Sequence, residues 1–160
     1  ETTLEKLHYI IQASMGWYGG HFHAFNINGE HYSTPSPYDP GALEELGMQS
    51  SIDRKLKSFV SGEGYKFTYE YDFGDDWQHE IKIEKVLPPD PKQPLPICIK
   101  GKRACPPEDV GGIWGYEEFL QAIKNPDHPE HEMYTEWIDY DFDPDAFELD
   151  EVNVLLKRLQ

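Results

Sequence analysis

The sequence predicts an α+β fold: an antiparallel sheet with a central aromatic hairpin, packed against helices from both ends of the chain. Three observations carry the prediction. Apolar residues recur at the 3.6-residue helical period near both termini. Between them the period changes to two. The alternating stretches are joined by short turns rich in Gly, Asn and Asp, as antiparallel pairing requires. At 160 residues the chain has the length of one ordinary domain.

The elements follow in order. Leu4, Leu7, Ile11 and Met15 form a helical stripe that Thr2 and Glu5 can open as a capping box and Gly16 can close. Residues 21–28 alternate, with His21, His23, Phe25 and Ile27 on one face, until Asn28 and Gly29 turn the chain. Prolines 35, 37 and 40 make residues 33–41 a loop, and Ser50 or Ser51 is expected to cap a short helix carrying Ile52, Leu56, Phe59 and Val60. The clearest signal comes next, where Tyr65, Phe67, Tyr69, Tyr71 and Phe73 alternate with polar residues and Trp77, His79, Ile81 and Ile83 do the same. A two-residue turn would set these aromatic faces against polar ones. A loop of odd length, residues 74–76, aligns them and pairs Phe73 with Trp77, Tyr71 with His79 and Tyr69 with Ile81. The same register sets Glu70 opposite Glu80, an unfavourable like-charge pair. A proline-studded connection leads to a possible further strand over 97–105, the most basic stretch of the chain through Lys100, Lys102 and Arg103. The last third reads as helices. One carries Phe119, Leu120 and Ile123; one is capped by Asp127 with Glu130 and carries Met133, Tyr134 and Trp137; the last is capped by Asp150 and buries Val152, Leu155, Leu156 and Leu159.

Thirty acidic residues against fourteen basic ones give a formal charge of −16 and a pI near 4.6. That balance repels phosphate backbones and anionic membrane surfaces, and counts against a nucleic-acid-coating domain. Residues 127–151 hold eleven of the thirty acids and no lysine or arginine, so a cationic protein or peptide is the partner this surface favours. No stretch has the roughly eighteen apolar residues of a membrane span, and the expectation is a cytoplasmic protein without membrane contact. Cys98 and Cys105 are expected as two reduced thiols, because two cysteines make no disulfide framework.

The run from Tyr69 to Ile81 with Gly74, Asp75, Asp76 and Trp77 at its centre is preceded by Met15, Gly16 and Trp17 with His21 and Phe25. It is followed by Pro106, Pro107, Glu108, Asp109, Val110, Gly111 and Gly112, and by Gly115 with Tyr116. In these motifs, and down to residues 143–147, the chain resembles the Ri-plasmid open-reading-frame-three-like family, some members of which are called transposon passenger proteins. The resemblance implies a single α+β domain over 1–160, of plasmid, transposon and chromosomal contexts, with no established reaction. Members of that family begin with a strand bearing a proline-tryptophan-arginine motif. This chain starts at Glu1 without one, so the expectation is a domain lacking its first strand.

Several residue groups have the composition of a chemical site. His21 and His23 share a strand face, and with His79 and Asp76 they are the ligand types that zinc or iron would take, provided the two strands lie side by side. Glu70, Asp72 and Glu80 crowd the outer face of the hairpin, where a solvated acidic surface explains them better than a catalytic pair does. Asp139, Asp141, Asp143, Asp145 and Asp150 imitate a calcium loop but set Pro144 where that loop needs glycine. No serine or cysteine lies in a nucleophile motif, and Gly111 and Gly112 lack the lysine of a phosphate loop. The leading expectation is therefore a non-enzymatic accessory domain, needing no cofactor, that holds a protein or peptide in an aromatic groove of Trp17, Tyr71, Trp77, Trp114 and Tyr116. The alternatives are a metal-dependent enzyme using His21, His23, His79 and Asp76, and a DNA-binding accessory protein using the basic group at 100–103.

Overall fold

The computed structural model describes residues 2–160. In chain order it contains α1 (Leu4–Met15), β1 (His23–Ile27), β2 (Glu30–Ser33), α2 (Ala42–Glu45), β3 (Gln49–Ser50), β4 (Lys66–Tyr71), β5 (Trp77–Lys82), α3 (Gly112–Lys124), α4 (His131–Ile138) and α5 (Leu149–Leu156). The strands form one open sheet in the order β3-β2-β1-β4-β5, with every pairing antiparallel except β2 with β3. Helix α1 packs against β2 and against α5, so helices from both ends of the chain meet. This is the α+β architecture the pattern predicts. No helix among the described residues is long and apolar enough to cross a membrane.

Phe67, Tyr69 and Tyr71 of β4 join Phe25 and Ile27 of β1, Leu4 of α1, Trp17 and Tyr32 in the main core. A second, smaller cluster of Val110, Phe119 and Ile138 lies under α3 and α4, and Trp77 packs against both. Thr3 rather than Thr2 caps α1, its hydroxyl accepting from the Lys6 amide at 3.1 Å, and Gly16 ends the helix at φ +91°.

The hairpin keeps the expected parity but not the expected ladder. Tyr71 faces Trp77, Tyr69 faces His79 and Phe67 faces Ile81, which leaves five loop residues, 72–76, instead of three. The reason is Asp72. Its φ of +57° ends the strand, its Oδ1 accepts from the amides of Gly74 at 2.9 Å and Asp75 at 3.2 Å, and its carbonyl accepts from Asp76 at 2.6 Å. In this register Glu70 lies opposite Gln78 and Glu80 opposite Thr68, so the like-charge pair does not form, and Lys66 Nζ reaches Glu80 at 2.9 Å instead.

Other expectations are corrected in the same local terms. No helix spans 52–60, because Asp53 at φ +60° interrupts it. A single 3₁₀ turn, Leu56–Ser58, remains, and Gln49–Ser50 pairs with β2. Residues 97–105 form no strand. Asn153 of α5 donates to the Cys98 carbonyl and accepts from its amide, replacing a ladder with side-chain bonds. Helix α4 begins at His131, four residues beyond Asp127, and Asp150 lies inside the first turn of α5 rather than capping it. Both thiols are free.

Candidate functional site

Three segments cross at one end of the sheet: the stretch after α1, the hairpin loop 72–76, and residues 104–112. Trp17 Nε1 donates to the Pro106 carbonyl at 2.9 Å, and the Gly111 amide donates to Asp75 Oδ2 at 3.1 Å. Gly112, at φ +70°, lets the chain pass so close to the hairpin that a Cβ there would lie 2.5 Å from the Asp75 carbonyl oxygen. Glu108 is the centre of the crossing. Its side chain is only 8% exposed, and its carboxylate accepts from the Tyr71 hydroxyl at 2.9 and 3.2 Å and from the Tyr18 amide at 3.2 Å. Burial, together with donation to that carboxylate, holds the Tyr71 phenol above its ordinary range, so it stays a donor at neutral pH.

His21 enters beside this pair. Its Nε2 is 2.9 Å from Asp109 Oδ1 and 3.9 Å from Glu108 Oε2, and its Nδ1 is 3.6 Å from Asp72 Oδ2. Its ring lies edge-on to Tyr71, with centroids 5.9 Å apart. One imidazole is thus surrounded by three carboxylates, two of them buried. His21, Asp72 and Asp109 each offer a ligand atom within 4.8 Å of the others.

Against the same crossing lies a cleft of about 660 Å³. Trp17, Tyr18, Trp137, Tyr140 and Phe142 contribute its aromatic surface, and Glu108, Asp109, Asp141 and Asp143 its charge; no lysine or arginine lines it.

The model of the plasmid pRiA4b ORF-3-like protein family matches residues 1–151. The chain belongs to this family. It is 40% identical to the uncharacterized protein y4hQ of Sinorhizobium fredii (strain NBRC 101917 / NGR234), over 86% of this chain and 70% of that one. It is also similar to the crystal structure of MM3350, a protein of unknown function from Methanosarcina mazei Go1, with a TM-score of 0.79 and 36% identity over 93% of this chain and 82% of that one.

In this pRiA4b ORF-3-like chain the sequence-predicted site residues separate. His23 stacks face to face on His8 of α1, centroids 3.6 Å apart, and burial next to His8 lowers its pKa to about 3. His8, lowered by burial to about 4, shares a 2.9 Å hydrogen bond between its Nδ1 and the Tyr69 hydroxyl, which also accepts from Gln12 Nε2 at 2.9 Å. His79, its pKa also lowered by burial, puts Nδ1 3.1 Å from the Tyr69 carbonyl, and Asp76 accepts from Gln78. Among the described residues, then, it is Asp72 and Asp109 that share a ligand cluster with His21, while His23, His79 and Asp76 bond elsewhere.

Of the five groove residues, Trp17 lines the cleft. Tyr71 is fully buried behind it, Trp77 packs between the two apolar clusters, and Tyr116 lies in the second cluster against Phe142. Trp114 is 83% exposed on α3 and does not line the cleft. Tyr18, Glu108, Asp109, Trp137, Tyr140 and Phe142 complete the site. The alternation of aromatic and aspartate residues over 137–143 was the signal for half of them. Lys100, Lys102 and Arg103 line a neighbouring cleft of about 510 Å³ that also contains Glu148 and Glu151.

Proposed function

We propose that this member of the pRiA4b ORF-3-like family is a non-enzymatic binding domain whose acidic, aromatic-walled cleft receives a cationic segment of a partner protein. The observation that carries the reading is the lining: five aromatic residues and four carboxylates with no lysine or arginine among them. A lysine or arginine side chain gains about 0.5–1 kcal/mol over an exposed aromatic face and about 2 when desolvated. The chain's charge of −16 raises the encounter rate of a cationic ligand at low ionic strength. The DNA-binding alternative has less support, because the basic group at 100–103 shares its cleft with Glu148 and Glu151.

The test is fluorescence anisotropy with labelled peptides rich in lysine and arginine, against neutral and acidic peptides of equal length. Binding of the basic peptides alone is expected, weakening with salt and falling more than about tenfold in Trp137→Ala and Asp141→Asn. Equal binding by these variants and the parent would mean that a diffuse acidic surface, and not the cleft, holds the peptide.

A further inference from the structure

We propose that His21, Asp72 and Asp109 form a binding site for a divalent transition-metal ion of the zinc class, with Glu108 as the carboxylate beside it. The first observation is the donor set. One imidazole and two carboxylates offer ligand atoms within 4.8 Å of one another, and a third carboxylate stands 3.9 Å from the ring. Tetrahedral zinc with bonds of about 2.0–2.1 Å sets its ligand atoms about 3.4 Å apart. Asp109 Oδ1 and Glu108 Oε2 lie 2.9 and 3.9 Å from Nε2, on either side of that spacing, while Asp72 Oδ2 lies 3.6 Å from the other ring nitrogen, so a turn of the imidazole or of the Asp72 side chain brings the three ligands onto one ion.

The second observation is independent of the clustering. Asp72 is 7% exposed, and both amide bonds to its carboxylate go to Oδ1. Oδ2 lies 3.6 Å from His21 Nδ1, beyond hydrogen-bond range, and takes no hydrogen bond from a protein donor among the described residues. His21 and Asp72 also line a recess of about 430 Å³ that shares no lining residue with the aromatic cleft, so an ion held by three protein ligands would keep a coordination position facing solvent. The imidazole separates the candidates by softness: it suits zinc, cobalt, nickel or iron, whereas magnesium and calcium take oxygen ligands. Tyr71, donating to Glu108, is the outer partner that would orient the neighbouring carboxylate.

Stripped of metal by chelator dialysis, the protein is titrated with zinc by calorimetry in a millimolar magnesium background that occupies the exposed carboxylates. One equivalent is expected to bind. His21→Ala should abolish it, and Asp72→Asn and Asp109→Asn should each weaken it more than about tenfold. His31→Ala, an exposed histidine on β2, should leave it unchanged. Asn at position 72 retains the Oδ1 acceptor and tolerates the positive φ, so this variant alters charge with the turn preserved. Cobalt bound in zinc's place should show the visible absorption of a four- or five-coordinate site, and that band should vanish in His21→Ala. Absence of a stoichiometric event, or zinc and cobalt binding that survives His21→Ala, overturns the proposal. His21 and Asp72 lie outside the aromatic cleft's lining while Asp109 belongs to both sites, so His21→Ala and Asp72→Asn are the variants in which the metal result and the peptide result fail independently.

Discussion

Acidification to pH 5 tests the polar heart of the fold. His8 and His23 are both buried and stacked on each other, with pKa values of about 4 and about 3 against an ordinary 6.5. A basic group depressed by folding binds fewer protons in the folded state than in the unfolded one. Stability is therefore level above about pH 6.5 and falls as the unfolded imidazoles charge. At pH 5 the unfolded His8 is almost fully protonated and the folded one about one-tenth so, a difference worth about 2 kcal/mol, and His23 contributes about 2 more. His79, lowered by burial as well, acts in the same direction. A loss of about 4 kcal/mol is a large share of the 5–15 typical of a domain. Carboxylates hold most of their charge at pH 5, so the loss there belongs to the imidazoles. Urea denaturation at pH 7.5, 6 and 5 should show the midpoint falling at constant slope. In His8→Gln, whose side chain does not titrate, the fall should shrink by about half. A midpoint flat over this range, or an undiminished fall in His8→Gln, would refute the assignment of two neutral buried histidines.

Three further outcomes are expected. Tyr71→Phe strips the buried Glu108 carboxylate of its side-chain donor and should cost about 1–3 kcal/mol in chemical denaturation. Gly112→Ala should lower the thermal midpoint far more than Gly29→Ala: both positions have positive φ, but at 112 the new Cβ meets the Asp75 carbonyl at 2.5 Å while at 29 it meets open space. Lys66→Gln should change stability by less than about 1 kcal/mol, since its 2.9 Å ion pair with Glu80 joins two side chains more than half exposed.

Periodicity made the sheet's inner face legible, because burial of one face is what the alternation records: Phe25, Ile27, Phe67, Tyr69 and Tyr71 are all in the core. It could not distinguish a three-residue hairpin loop from a five-residue one, since both keep the parity of 67, 69 and 71 against 77, 79 and 81. The distinction rests on Asp72 taking a left-handed φ, a conformation that aspartate permits but does not demand. Likewise Asn153 meets Cys98 across 55 positions of sequence, a contact no local pattern contains. The family resemblance was legible from motifs. Of the aromatic cleft only Trp17 was legible, and of the His21 cluster only His21 as a metal-ligand candidate, because their partners come from loops that the strand pattern does not relate.

Those loops explain why the site lies where it does. Had the ladder continued to a Phe73–Trp77 pair, Asp72 would have stayed within the strand, on the face opposite Tyr71. Ending the strand two residues earlier, at Tyr71, frees Phe73 to stack on Phe22, centroids 5.9 Å apart, and lets the Asp72 amide bond the Phe22 carbonyl at 2.8 Å. That turns the carboxylate toward His21. Asp109 reaches the same imidazole from a second positive φ, +60°, just before the two glycines that let the chain pass Asp75. Both carboxylates that form the His21 cluster are thus non-glycine residues in a sparsely populated backbone region, where each costs of order 1 kcal/mol and persists only under constraint from its surroundings. The Glu108–Tyr71 and Gly111–Asp75 bonds supply that constraint. Two of the seven non-glycine residues with positive φ among the described residues thus aim their carboxylates at one imidazole, fixing an arrangement of charge beside a regular sheet.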